Sequence, residues 1–254
     1  MKIAIIIPAR YKSKRLPKKP LIKINNKSLV MHTYLKVIKI LRKQDVYITS
    51  DNNKVLNEFK EITNNLILVN KKCINGCERC SYAIEKIKKN YDYFLISSCD
   101  MPFLNVGVIK FLIKKIKNSK EKYDAFTVHT TIRDMSLLKS NSVGKIVLNL
   151  KNEVIYISRS LIPPISKIKN IFYNPRGKKT HYSHHGLVAV KTQILKKYKK
   201  LKNTKLQLLE DIEWLKLIEY GFKIKSFIYK SISPEVNTKA DLKKYIPIYF
   251  KKNK

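Results

Sequence analysis

Ten residues near the N-terminus, from Arg10 to Lys19, carry six positive charges and no negative one. They follow directly on a short apolar run that reads as a buried strand. Two prolines, Pro17 and Pro20, stiffen the stretch, so ordering it around a ligand costs less chain entropy. The chemistry such a loop suits is the grip of a polyphosphate; the alternative is a solvated surface turn. With only six glycines in the chain, none close enough for G-x-G-x-x-G or a Walker A loop, a Rossmann dehydrogenase and a P-loop kinase are disfavoured. A polyphosphate must then be held by cationic side chains and loop N–H groups, with Arg10, Arg15 and Lys19 as the candidates.

Two other spacings invite chemistry. Cys73-x3-Cys77-x2-Cys80 matches the pattern of three thiolates on an iron–sulfur cluster in radical-SAM enzymes. Arg79 precedes Cys80 where an aromatic is usual, and no glycine-rich cofactor strand follows. Small buried cysteines in a reducing compartment are the simpler reading. His181-x2-His184-His185 lacks a fourth ligand nearby, which favours substrate contact or burial over a metal.

Composition narrows the classes. A 44% hydrophobic content supports a folded core in spite of a formal charge of +36. Of 54 basic residues only seven are arginine; the rest are lysines spread through a chain rich in Ile and Asn, all three having A/T-rich codons. Base bias therefore accounts for the charge better than a nucleic-acid partner, which would call for clustered arginines. No apolar run approaches the ~18 residues of a membrane span, and the N-terminus lacks signal-peptide features. A cytoplasmic protein without nucleic-acid or membrane partners is expected.

The elements that must position these residues alternate. Strands are expected at 2–7, 46–49, 66–69 and 93–97, and helices at 28–41, 53–62, 80–89 and 106–117. Ser50-Asp51-Asn52 suits a helix cap, with Asp51 in that role. Such alternation implies an α/β fold: three layers around a mostly parallel sheet. Strands at 125–131, 145–150 and 154–158 follow with fewer helices between them, and residues 150–153 read as a hairpin turn. One helix over 204–220 around Trp214, a strand at 223–229 and a helix at 239–246 close the chain. The expectation is one domain over 1–254 with an insertion at about 125–190. Ligands of open α/β sheets bind beyond the strands' carboxyl ends, where the cationic loop and the Asp100 loop both fall.

Ile7-Pro8-Ala9-Arg10-Tyr11 followed by Ser13, Arg15-Leu16-Pro17 and Lys19-Pro20-Leu21 resembles the signature of the 3-deoxy-manno-octulosonate (Kdo) cytidylyltransferases. Lys18 stands where most of that family has glycine. The resemblance continues in order through Gly76, Glu78 and Arg79, then Asp100-Met101-Pro102, Tyr156-Ile157-Ser158-Arg159, His184-His185-Gly186-Leu187, Leu209-Glu210-Asp211 and Val236-Asn237-Thr238. Four of the seven arginines lie in these segments, against the scatter expected of surface placement.

The resemblance implies a nucleotide-diphospho-sugar transferase-like fold and the activation of Kdo with CTP for lipopolysaccharide assembly. It implies Arg10, Lys19 and Asp100 as catalytic groups, and Ala9, Ser13, Arg15, Glu78 and Arg79 at the nucleotide. Arg159, His184, Glu210 and Asp211 would face the sugar acid. Asp100 would bind Mg2+, with Asn237 replacing a second family carboxylate and so losing its charge. Asp211 replaces a family Gln and Ser98-Cys99 a family Gln-Gly. A homodimer is implied too, with residues 161–180 at the partner contact. A sister activity on neuraminate or an amino-Kdo stays open.

Overall fold

Every residue of β1 (Ile3–Ala9) but one is buried, and the strand is dominated by isoleucine. That pattern belongs at the centre of a parallel sheet covered on both faces. The computed structural model describes residues 1–13, 16–164, 181–230, 236 and 238–251. A two-residue ribbon, β2 (Lys23–Ile24) and β3 (Lys27–Ser28), follows the cationic loop. The remaining strands are β4 (Val46–Ser50), β5 (Leu66–Leu68), β6 (Tyr93–Ser97), β7 (Ala125–Thr131), β8 (Lys145–Leu148), β9 (Val154–Ser158), β10 (Tyr182–Lys191) and β11 (Ile224–Ile228).

The main path of the sheet runs β11-β7-β10-β6-β1-β4-β5, with β8 pairing β10 and β9. Pairs β1–β4, β1–β6, β4–β5 and β11–β7 are parallel, whereas β10 is antiparallel to both its main neighbours. Because β4 and β6 flank β1 in parallel, the segments after all three strands leave the same edge of the sheet.

Alternate β1 side chains face opposite layers, as period-two geometry requires. Ile3, Ile5 and Ile7 pack with α1 (Leu29–Val37), α2 (Asn53–Asn57) and α4 (Val106–Lys117). Ala4 and Ile6 pack on the other face with α3 (Gly76–Ala83), beside α6 (Thr192–Tyr198) and α8 (Leu215–Glu219). The architecture is thus the three-layer α/β arrangement expected. Three more helices complete it: α5 (Met135–Lys139), α7 (Lys205–Glu210) and α9 (Lys239–Lys251). No helix among the described residues is long and apolar enough to cross a membrane.

Several boundaries differ for local reasons. The helix expected at 80–89 begins at Gly76, because the Asn75 side chain accepts the Glu78 N–H at 2.8 Å and caps it earlier. The cap of α2 is Asn52 rather than Asp51. The single helix expected over 204–220 is two, α7 and α8, since Asp211 adopts φ +51° and stops the first. The hairpin turn at 150–153 forms, with Asn152 at φ +56° and its N–H bonded to the Asn149 carbonyl at 2.9 Å. Strand β10 and helices α5 and α6 lacked a clear periodic signal.

Lys18 deserves comparison with the glycine expected at its position. Its backbone is left-handed, φ +54° and ψ +27°, immediately before a single 3-10 turn over Lys19–Leu21. An L-residue there costs roughly 1–2 kcal/mol, which glycine avoids while losing about 0.5–1 kcal/mol more chain entropy. Lys18→Gly is therefore expected to raise stability by about 0.5–1 kcal/mol, read as a higher urea midpoint at unchanged m.

Candidate active site

Beyond the carboxyl edge of β1 the chain turns at once into the cationic loop. Arg10 braces the loop internally, its Nε donating to the Lys12 carbonyl at 2.6 Å. Ala9 is buried at the strand end, in register with Ser50, and the Ser13 N–H bonds the Tyr11 carbonyl at 3.2 Å. Lys19 is buried and its ammonium pairs with the Asp100 carboxylate, which lies just after β6. The second Asp100 oxygen accepts the Ser98 hydroxyl. Arg15 lies outside the described residues.

A cavity of about 1390 Å³ opens beside this cluster, lined in part by Ser98, Arg159, His184, Asp211 and Glu213. Lys19 and Asp100 do not line it; Ser98 touches both regions. Arg159 is held by backbone carbonyls: Nε reaches Glu210 at 3.0 Å, Nη2 Asp211 at 3.2 Å and Nη1 Asn141 at 3.3 Å. Among the described residues no carboxylate forms an ion pair with the guanidinium, which leaves its charge available to an acidic ligand. Behind it the fully buried Lys145 donates to the carbonyls of Arg159 at 2.6 Å, Ser140 at 2.7 Å and Val143 at 2.9 Å.

Other expected site residues have partners of their own. The Glu210 carboxylate turns to β9, accepting from the Ser158 hydroxyl at 2.6 Å and the Arg159 N–H at 2.8 Å; it supports the arginine rather than facing the cavity. Asp211 is exposed and offers its carbonyl to Arg159. Glu78 spends its carboxylate on the Ile74 N–H at 2.8 Å. Arg79 is buried behind the loop, bonded to the Val69 carbonyl at 3.2 Å and 3.6 Å from Asp51, instead of opening toward a nucleotide. Asp51, expected as a helix cap, accepts the Tyr11 N–H of the loop at 2.8 Å. Asn237 lies outside the described residues, as do residues 165–180 of the expected dimer contact.

His184 meets the Thr127 hydroxyl at 3.1 Å, and burial pushes its imidazole down to about 3. His129 and His185 are likewise pushed down to about 4 by burial. These rings are neutral near pH 7, so His184 offers a ligand hydrogen bonds rather than charge. Cys73, Cys77 and Cys80 pack in the core on the α3 side of the sheet, and burial pushes their thiols up, opposing the thiolates a cluster needs. No three His, Cys, Asp or Glu side chains form a metal-holding group among the described residues.

Glu213 was not singled out by the sequence reading, although Ile212-Glu213 repeats the apolar-Glu pair of Leu209-Glu210 three residues on. Its carboxylate accepts the Cys77 N–H at 2.8 Å in the first turn of α3. A Cβ at Gly76 would lie 3.1 Å from Pro8 Cγ, a tight contact, and 3.7 Å from Glu213 Oε2, an ordinary one. Glu213 keeps some exposed surface and lines the cavity, while its carboxylate is bonded to the backbone of α3.

With that geometry in view, sequence comparison is decisive: residues 4–227 match the profile of the cytidylyltransferases. The chain belongs to that family. It is 32% identical to a 3-deoxy-manno-octulosonate cytidylyltransferase of Parabacteroides distasonis, over 96% of each chain. An 8-amino-3,8-dideoxy-manno-octulosonate cytidylyltransferase of Shewanella pealeana is 28% identical, again over 96% of each. A solved CMP:2-keto-3-deoxy-manno-octonic acid synthetase in complex with CTP superposes with a TM-score of 0.85 at 25% identity, covering 99% of this chain and 100% of that one. The resemblance read from Ile7 to Leu21 onward is therefore confirmed at the level of family and fold.

The Glu213 carboxyl of this cytidylyltransferase is pushed up to about 7, by desolvation and the nearby Asp211 charge against the Cys77 and Gly76 N–H groups, from an ordinary 4.5. A carboxyl with a raised native pKa binds more protons folded than unfolded between those values. Its stabilising contribution is full below pH 4.5 and lost as pH rises through 7. The stability of wild type relative to Glu213→Gln should accordingly fall between pH 5 and pH 8, measured as paired urea midpoints.

Proposed function

We propose that this chain activates the sugar acid Kdo with CTP, forming CMP-Kdo and pyrophosphate. The observation that carries the reading is the Lys19–Asp100 pair, which joins the cationic loop after β1 to the loop after β6 beside the Arg159 cavity. The relatives named for Kdo and its 8-amino analogue, and the CTP complex of the structural neighbour, support the substrate class.

In the reaction, the anomeric hydroxyl oxygen of the sugar attacks the α-phosphorus of CTP. The bond to the pyrophosphate oxygen breaks and the hydroxyl proton is lost. Such a transfer is governed by positioning and by neutralising phosphate charge. Arg10 and Lys19 hold the phosphates and the departing pyrophosphate, a role the family resemblance extends to Arg15. Arg159 faces the sugar carboxylate, and His184 meets its hydroxyls. Asp100 would hold Mg2+, a cation that prefers hard oxygen ligands, through its carboxylate. When bound, the ion screens phosphate charge. The same reading assigns the chain to lipopolysaccharide assembly in the cytoplasm. The exposed Leu150 and Ile155 on the β8–β9 hairpin supply apolar surface that a second copy would cover in a homodimer.

The 8-amino sugar is the second reading, favoured by the Asp211 carboxylate at the cavity, which would attract an ammonium. Pyrophosphate release with CTP, Mg2+ and each sugar acid separates the two. Kdo is expected to give the higher kcat/KM; turnover of the amino sugar alone would reverse the assignment, and none with either would refute it. Lys19→Ala and Asp100→Asn should each lower kcat/KM for CTP by about a hundredfold. Arg159→Ala should raise KM for the sugar acid by about tenfold or more, with KM for CTP nearly unchanged.

A further inference from the structure

We propose that Asp51 and Arg79 form a strut that positions the cationic loop from behind, so that affinity for the triphosphate depends on an ion pair outside the phosphate contacts. The proposal rests on the reading of that loop as the phosphate grip.

Six cations within ten residues repel one another, and a loop built this way needs anchors to keep one conformation. A carboxylate holds each end. Asp100 pairs with Lys19 at the far end. At the near end Asp51 Oδ1 accepts the Tyr11 N–H at 2.8 Å, one residue beyond Arg10. The parallel pairing of β1 with β4 makes this contact possible, because Ala9 and Ser50 are in register and the following residues leave the sheet side by side.

The two Asp51 oxygens have different tasks. Oδ1 serves the loop, while Oδ2 lies 3.6 Å from Arg79 Nη2. Arg79 comes from α3 on the neighbouring layer; its side chain is 3% exposed, and Nη1 donates to the Val69 carbonyl at 3.2 Å. A buried guanidinium does not move freely, so it fixes the carboxylate that fixes the loop. Both residues act through Tyr11 and are positioning residues.

The test is calorimetric binding of CTP, inorganic pyrophosphate and CMP to the full chain and its variants. Asp51→Ala is expected to weaken CTP and pyrophosphate about tenfold each, while CMP, which lacks the β and γ phosphates, changes less than about twofold. Removing Asp51 leaves a buried cation unpaired, which can destabilise the fold. The double variant Asp51→Asn with Arg79→Met removes that cation too, and should show the same selective loss. Unchanged or tighter CTP binding in a folded variant would overturn the strut, because Asp51 would then act only as a repelling charge. An equal loss for CMP would overturn it as well, by showing general damage. Failure of the wild-type chain to bind CTP or pyrophosphate would bring down the loop reading itself and the strut with it.

Discussion

The buried ion pair between Lys19 and Asp100 is the constraint on which the site depends. An ammonium and a carboxylate removed from water need each other, since either alone would carry an uncompensated desolvation cost. Their pairing requires two segments far apart in sequence to leave the sheet side by side. The parallel register of β1 with β6 supplies that, bringing the end of one strand beside the end of the other. Further bonds hold the Asp100 loop: the Thr33 hydroxyl donates to the Cys99 carbonyl at 3.2 Å, and the Val236 N–H to the Asp100 carbonyl at 3.0 Å. The helix after β1 and the C-terminal segment thereby brace the same point.

A different device holds the opposite wall of the site. Arg159 is oriented by carbonyls rather than by carboxylates, and Lys145 gathers three carbonyls of the same neighbourhood. Carbonyl dipoles direct a cation without cancelling its charge. A wall made this way keeps electrostatic attraction for an acidic ligand while limiting side-chain motion, which lowers the entropy cost of binding. Glu210 contributes by tying the Arg159 N–H and the Ser158 hydroxyl to α7. Ser98 links the two regions: its hydroxyl donates to the Asp100 carboxylate that pairs with Lys19, and it lines the cavity together with Arg159.

The likeness to cytidylyltransferases acting on Kdo and on its 8-amino analogue extends over nearly the whole chain, so the shared part of the chemistry is the nucleotide transfer. The cavity wall carries Asp211, at a left-handed position, and Glu213, whose carboxylate is seated against the first turn of α3.

Local sequence was enough for the strands and helices whose apolar period is uninterrupted. Strands β6, β7 and β9 and helix α4 occur at the expected residues, because buried β-branched runs and an i, i+3, i+4 stripe leave few alternatives. The charge density and prolines of residues 10–20 suit a phosphate grip, whereas the family is reached only through the resemblance of the Ile7–Leu21 string and the later segments to a known signature. Strand β10 was illegible: its His-Ser-rich first half and Gly186 break any alternation, and it is defined by neighbours on both sides. The partners of individual polar groups were equally beyond reach. Asp51 reads as a cap from its neighbours in sequence, yet in space it meets Tyr11 and Arg79; nothing in the sequence around Glu213 names the partner of its carboxylate, the Cys77 N–H. Sequence alone determined which residues can form the core and which charges exist. Tertiary structure decided where each charge is directed, because ion pairs and carbonyl contacts form between segments whose proximity arises only when the sheet assembles.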